Sequence, residues 1–198
     1  MKNDFRLEEL EILEEVYRGA VPELKFNSAF ELLVAVILSA QCTDKRVNQV
    51  TKILFPIANT PKKILELGQI ELEKIIKPCG FFKTKSKHII ETAKILSESY
   101  GGEVPSDFEE LVKLPGVGRK TANVVTSVAF KKPAIAVDTH VFRLANRLKL
   151  AEGKRRLKLN LDYKKLFRAK NGRRRIIGLS GTAEKFAGRE VRSAKNVR

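Results

Sequence analysis

Apolar residues recur every three or four positions through most of the first 150 residues. Phe5, Leu7, Leu10, Leu13 and Val16 make one stripe, at the spacing of a helix face. Between Phe26 and Ala40 the run FELLVAVILSA is apolar on nearly all sides, which predicts a helix buried in the centre of the fold. Asp44 to Leu54 predicts an amphipathic helix with Thr43 or Asp44 as its N-cap. Pro61-Lys62-Lys63 opens a short helix with proline in the first turn, and Ile70 to Ile76 reads as another. Lys77-Pro78-Cys79-Gly80 breaks the chain. Thr84 to Tyr100 predicts a long amphipathic helix ended by Gly101-Gly102. Ser106-Asp107 caps the next helix, with Glu109 three residues after Ser106 completing a capping box. No strand pattern precedes residue 150, so the predicted class is all-α.

The stretch LPGVGRKTANVV, Leu114 to Val125, carries two glycines followed by a basic turn. A P-loop requires Gly-x-x-x-x-Gly-Lys-Ser/Thr. Here Arg119 stands where the second glycine belongs. A dinucleotide fingerprint requires a third glycine, where Thr121 stands, and a preceding strand, whereas the preceding segment SDFEELVKL reads as a capped helix. The order is helix, Leu-Pro-Gly-Val-Gly, helix. Pro115 ends the first helix. Gly116 and Gly118 allow positive φ and a close approach to a ligand. The second helix, starting near Gly118-Arg119, turns its positive end outward. That arrangement suits a phosphate in a polymer backbone, held without reading bases. It is a helix-hairpin-helix, about residues 107–128. The plainer alternative is a tight αα turn that holds nothing.

Charge changes the picture less than its total suggests. The net charge is +16, but residues 155–198 hold 15 Lys and Arg against 3 Asp and Glu, while the first 154 hold 24 against 20. The body is mildly basic and the tail strongly so, as for a polyanion-binding chain. No run of about 18 apolar residues is present, as a membrane span would need, and the charged start MKNDFRLEELEILEEV lacks the apolar core of a signal peptide. A cytoplasmic, nucleoid-associated protein that touches no membrane is expected. Two cysteines, Cys42 and Cys79, exclude a four-cysteine metal site, and no metal ligands are expected.

Four segments resemble the endonuclease III family, the DNA glycosylases with AP-lyase activity of the helix-hairpin-helix superfamily. They are LLVAVILSAQCTDKRVNQV (32–50), CGFFKTKSKHI (79–89), LPGVGRKTANVV (114–125) and AVDTHVFRLANRL (136–148). The resemblance covers about residues 1–154. It implies two helical domains, 22–132 with the hairpin and 1–21 plus 133–154, with the active-site cleft between them. It implies a monomer acting on double-stranded DNA that contains damaged bases or abasic sites. It implies excision of oxidised pyrimidines and strand cleavage 3′ to the abasic site. Two rivals stay open. One is a uracil or thymine mismatch glycosylase of the same superfamily, and the other is a non-catalytic DNA-binding protein.

The resemblance assigns roles residue by residue. Lys120 is the nucleophile, which attacks the sugar C1′ as a neutral amine and forms a Schiff base. On residue type alone it is a solvated helix lysine. Asp138 stabilises the charge that develops as the base leaves; unaided, it reads equally as an N-cap. Gln41 and Phe81 fill the gap left by the extruded base, though the family usually has leucine at the second position and Phe81-Phe82 could simply be core. Gly116, Val117, Gly118, Arg119 and Arg143 are DNA contacts, as are Lys83 and Lys85 by their charge. Asp44 and His140 support the pocket, and His88 is structural or near DNA.

The tail departs from the pattern. The family carries a C-x6-C-x2-C-x5-C cluster that binds a 4Fe–4S group, and residues 155–198 contain no cysteine. No cofactor is therefore expected for the chain as written. If the tail is read one base out of frame, Phe186-Ala187, Ser193-Ala194 and Asn196-Val197 can each encode cysteine, at C-x6-C-x2-C. A frameshift near Lys154 is the expectation, and it also accounts for the charge asymmetry.

Overall fold

The computed structural model describes residues 23–132 and Ala134. The N-terminal stripe, Asp138, His140, Arg143, the second expected domain and the basic tail lie outside the described residues. The chain divides into two compact units, one of which is Glu23–Phe130. All the helices described below belong to that unit. Among the described residues there are six α-helices and no strand, and no helix is long and apolar enough to cross a membrane.

Helix α1 is Ala29–Ser39. It begins one residue ahead of the apolar run, which opens at Phe30, because Ser28 caps it. The Ser28 hydroxyl accepts the Glu31 N–H at 3.1 Å, and the Glu31 carboxylate accepts the Asn27 N–H at 2.6 Å. The first bond satisfies an amide that the first turn leaves over, and the second ties the residue ahead of the cap back to the helix. Phe30 to Leu38 are all buried, as expected of a helix apolar on every side. Helix α2, Asp44–Ile57, is capped by Thr43 rather than Asp44, and the Asp44 carboxylate lies in the first turn, where negative charge suits the helix dipole.

Helix α3, Pro61–Ile76, contains Gly68 at φ 75°, ψ 163°. That backbone splits it into the two short helices expected from the sequence. Lys77–Cys79 forms a single 3₁₀ turn. Helix α4, Phe82–Ser99, starts two residues before Thr84. Its last turn closes with the Tyr100 and Gly102 N–H groups both donating to the Leu96 carbonyl. Helix α5, Phe108–Lys113, is capped by Asp107, whose Oδ1 accepts from the Glu109 and Glu110 amides at 2.9 and 3.2 Å. The cap is thus Asp107 rather than Ser106, because the helix opens at Phe108, one residue later than a box starting at Ser106 requires. Helix α6 is Arg119–Val128.

The broadest helix contact is between α3 and α4, and α1 touches α2, α4 and α6. Leu33, Leu38, Leu54, Ile64, Leu72, Ile76, Ile89, Leu96, Leu111 and Val125 are fully buried between these helices. Each such side chain contributes about 1.5–3 kcal/mol by leaving water. The core is built on α1, and the loops that carry the candidate functional residues leave from its rim.

Candidate active site and nucleic-acid interface

The hairpin is a short clip between α5 and α6. The Leu114 N–H donates to Leu111 O at 3.2 Å and the Val117 N–H to Leu114 O at 3.1 Å. Leu114 and Val117 are buried, so they anchor the turn from below. Val117, expected as a DNA contact, has its side chain in the core, and its amide closes the turn. From α4, the Thr92 hydroxyl donates to the Pro115 carbonyl at 3.0 Å. The His88 imidazole lies against Gly116, which gives this histidine a structural place.

Only one of the two hairpin glycines uses the left-handed region. Gly116 has φ 74°, whereas Gly118 has φ −83°, which any residue adopts. A Cβ on Gly118 would meet no atom within 4 Å. Gly118 caps α6 without a side-chain hydrogen bond, and no acidic residue stands in the first turn. The first intrahelical bond runs from the Ala122 N–H to Gly118 O at 2.9 Å. The turn ahead of it presents the positive end of the helix, a geometry that holds anions.

Arg119 and Lys120 are the first two residues of α6, and both are exposed. The Arg119 guanidinium stands 4.9 Å from the centre of the Phe108 ring. This cation–π contact ties the start of α6 to the start of α5. Gly116, Gly118, Arg119 and Lys120 thus share one exposed end of the hairpin.

Two further loops carry exposed residues in a conformation that L side chains avoid. Gln41 has φ 54° and Phe81 φ 46°, each costing about 1–2 kcal/mol. Gln41 is exposed, and Phe81 is 69% exposed. Phe82 is half-buried against the core. The Phe81-Phe82 pair is therefore split: one ring packs inward and the other stands in solvent beside a strained backbone. Such strain persists only where surrounding structure fixes it. Asp44, half-buried, begins α2 just after the Gln41 loop.

Lys85 corrects an expectation. Its charge suggests a phosphate contact, but it is 5% exposed. Its Nζ donates to Leu38 O and to Cys79 O, each at 2.8 Å. Burial lowers its pKa, partly offset by the neighbouring Cys79 and Cys42 thiols. The burial is legible in the sequence, because Lys85 falls on the inward stripe of α4 with Phe82, Ser86, Ile89, Thr92, Ala93 and Leu96. Its polarity hides its place. Lys83, by contrast, is exposed.

The two cysteines meet in the same place. Burial first, then the adjacent Cys42 thiol, pushes the Cys79 thiol up to about 11, so it is protonated at neutral pH. A 4Fe–4S group needs four thiolates. The chain has two cysteines, and Cys79 is a buried thiol facing Cys42, so the residues present do not fit that group. Among the described residues, no cluster of three His, Cys, Asp or Glu side chains could hold a metal ion.

A hairpin offering a helix terminus, a lysine at its second position and two strained exposed loops is what a family match would have to explain. Residues 34–169 match the model of the HhH-GPD superfamily base excision DNA repair proteins. The chain belongs to that superfamily. It is 53% identical over 154 residues to endonuclease III of Haemophilus influenzae, spanning 78% of this chain and 73% of that one. Against endonuclease III of Escherichia coli it is 53% identical over 149 residues, 75% and 71% of the two chains. A non-covalent endonuclease III–DNA complex superposes with TM-score 0.77 at 43% identity, covering 84% of this chain and 78% of that one. A trapped endonuclease III–DNA covalent intermediate superposes with TM-score 0.73 at 46% identity, covering 79% and 74%. A thermostable thymine-DNA glycosylase shares the fold at TM-score 0.68 with 23% identity.

Proposed function

We propose that this chain is a base-excision DNA glycosylase and AP lyase that removes oxidised pyrimidines from duplex DNA and works through Lys120. The observation that carries the reading is the position of Lys120. It is exposed as the second residue of α6, beside the backbone turn suited to holding a DNA phosphate. The identity of 53% to endonuclease III proteins, against 23% to a thymine-DNA glycosylase, favours oxidised pyrimidines over mismatched uracil or thymine.

The chemistry follows from an amine held at a sugar. The Lys120 nitrogen forms a bond to C1′ as the C1′–base bond breaks, and the base leaves with the electron pair. Ring opening gives a Schiff base between Nζ and C1′. Loss of a C2′ proton then expels the 3′ phosphate and cuts the strand. Water hydrolyses the imine and returns the amine. Asp138 is assigned the carboxylate that stabilises charge at the sugar and takes up the amine's proton. Gly116, Gly118, Arg119 and Arg143 hold the phosphates, and Gln41 and Phe81 occupy the space the base leaves. Asp44 and His140 shape the pocket. Asp138 belongs to the second helical domain, 1–21 plus 133–154, in this reading. The protein acts as a monomer in the cytoplasm, where its DNA is.

Borohydride reduction of the protein mixed with DNA containing an abasic site tests the assignment. A covalent protein–DNA adduct is expected, and Lys120→Ala is expected to bind the DNA and give none. No adduct from the unaltered chain would leave only a DNA-binding hairpin. We also propose that the basic tail is a frame-shifted reading of the family's cysteine region. Sequencing the gene across codons 145–198 tests this, and a shifted frame without the three cysteines would reject it.

A further inference from the structure

The structure assigns Lys85 as a positioning residue that sets the spacing between the Gln41 and Phe81 loops. The inference rests on the reading of Gln41 and Phe81 as the side chains that fill the gap in the duplex. Three observations carry it. First, both residues hold left-handed backbones, φ 54° and 46°, while remaining exposed. Their own side chains gain nothing from the core, so the strain is held by what lies beneath. Second, what lies beneath each is a carbonyl bound by the same ammonium. Leu38 O is three residues before Gln41, and Cys79 O is two residues before Phe81; each accepts from Lys85 Nζ at 2.8 Å. Two oxygens bonded to one nitrogen cannot lie farther apart than twice that distance. Third, Lys85 is itself fixed at the start of α4, where its backbone N–H donates to Phe81 O at 3.0 Å. One residue therefore grips the Phe81 loop at two points and the end of α1 at a third.

Each loop also has its own local closure. The Cys42 N–H donates to Ser39 O at 3.0 Å, and the Gly80 N–H to Lys77 O at 3.4 Å. These bonds shape each turn but do not relate one turn to the other. Lys85 makes the cross-connection, from the inside of the protein, with the Cys42 and Cys79 thiols packed beside it. A buried ammonium is costly unless its hydrogen bonds are made. A spacer of this kind is therefore rigid: the loops cannot part without leaving the charge unsatisfied. Two side chains that enter one gap from different loops need such a fixed separation, because a shift of about 1 Å at a reacting geometry can cost on the order of 100-fold.

The test compares two substrates and uses the full chain. Excision of an oxidised pyrimidine from a duplex needs the gap filled; cleavage at an abasic site in a single strand does not. Lys85→Met keeps the side-chain length and removes the donors. Lys85→Met is expected to slow duplex excision by about tenfold or more and to leave single-strand cleavage nearly unchanged. Gln41→Ala with Phe81→Ala is expected to do the same. Adding these two changes to Lys85→Met should cost little more, since all three act on one step. An equal loss on both substrates would mean Lys85 only supports folding, and would overturn the inference. Fully additive losses would also overturn it while leaving the role of Gln41 and Phe81 intact. Normal excision by the Gln41→Ala, Phe81→Ala protein would overturn that role and the inference with it. If Lys85→Met does not fold, Lys85→Gln, which can keep one of the two bonds, replaces it on the same two substrates. A loss confined to duplex excision then supports the spacer, and an equal loss on both overturns it.

Discussion

The imidazole of His88 occupies the space that a side chain on Gly116 would need. A Cβ there would stand 2.9 Å from Nδ1, 3.0 Å from the His88 Cβ and 3.1 Å from Cγ. The backbone at Gly116 is also left-handed, φ 74°. Gly116→Ala should therefore lower stability by about 2 kcal/mol or more, from αL strain of about 1–2 kcal/mol plus displacement of the ring. It should also weaken DNA binding, because the turn must open. Adding His88→Ala should return part of the stability, since the ring goes but its Cβ and the φ strain stay. Melting curves and DNA titrations on the two variants check this.

Phe81 should show opposite effects on stability and on activity. Its ring is mostly in solvent and its backbone is left-handed. Phe81→Gly relieves the strain and should leave stability unchanged or raise it by up to about 1 kcal/mol. Duplex excision should nevertheless fall. A drop in melting temperature together with activity would show that the ring is a packing residue after all.

Arg119 and Phe108 separate charge from placement. Arg119→Ala should weaken DNA binding and reduce the slope of log affinity against log salt by about 1, the share of one phosphate contact. Phe108→Leu removes the ring beneath the guanidinium but keeps the cation. It should lower affinity modestly and leave the salt slope as it was. Titrations at several salt concentrations distinguish the two.

Cys79 makes stability sensitive to alkali. Its thiol is held up to about 11 by burial and by Cys42, so the unfolded chain gives up this proton at lower pH than the folded one. The contribution is whole below the unfolded value, near pH 9, and is lost as pH rises towards 11. Lys85 acts in the other sense: its lowered pKa means its burial costs stability at neutral pH, and that cost lessens as pH rises. Denaturant unfolding from about pH 8 to 11 should show a steeper loss for the unaltered protein than for Cys79→Ala. Iodoacetamide should spare Cys79 until the protein is unfolded.

The helical framework is legible in the sequence wherever burial and polarity agree. The apolar run of α1, the proline at the start of α3 and the division of α3 into two short helices each announce themselves. The hairpin is legible because glycine, proline and a basic turn occur in a fixed order. That order does not reveal which hairpin glycine takes positive φ or that His88 fills the space beside Gly116. Lys85 misleads because a lysine inside an apolar stripe is assigned by its charge, and only the fold shows the carbonyls waiting for it. The split between Phe81 and Phe82 is hidden for a related reason: two identical side chains differ only in a backbone angle. The cap of α5 falls one residue beyond Ser106, because Asp107 offers an acceptor that reaches both the Glu109 and Glu110 amides.

Helix α1 has no exposed face of its own and touches α2, α4 and α6. The loop with Gln41 leaves from its end, Lys85 bonds to its Leu38 carbonyl, and α6 carries Lys120. A change of volume inside α1, such as Leu38→Ala or Val34→Leu, would push against all three supports at once. Screens for inactive variants should consequently recover substitutions in this helix that alter no DNA contact and no chemical group. Their defects would reach excision, strand cleavage and heat tolerance together, whereas a defect at the tip of any single loop would leave the others standing.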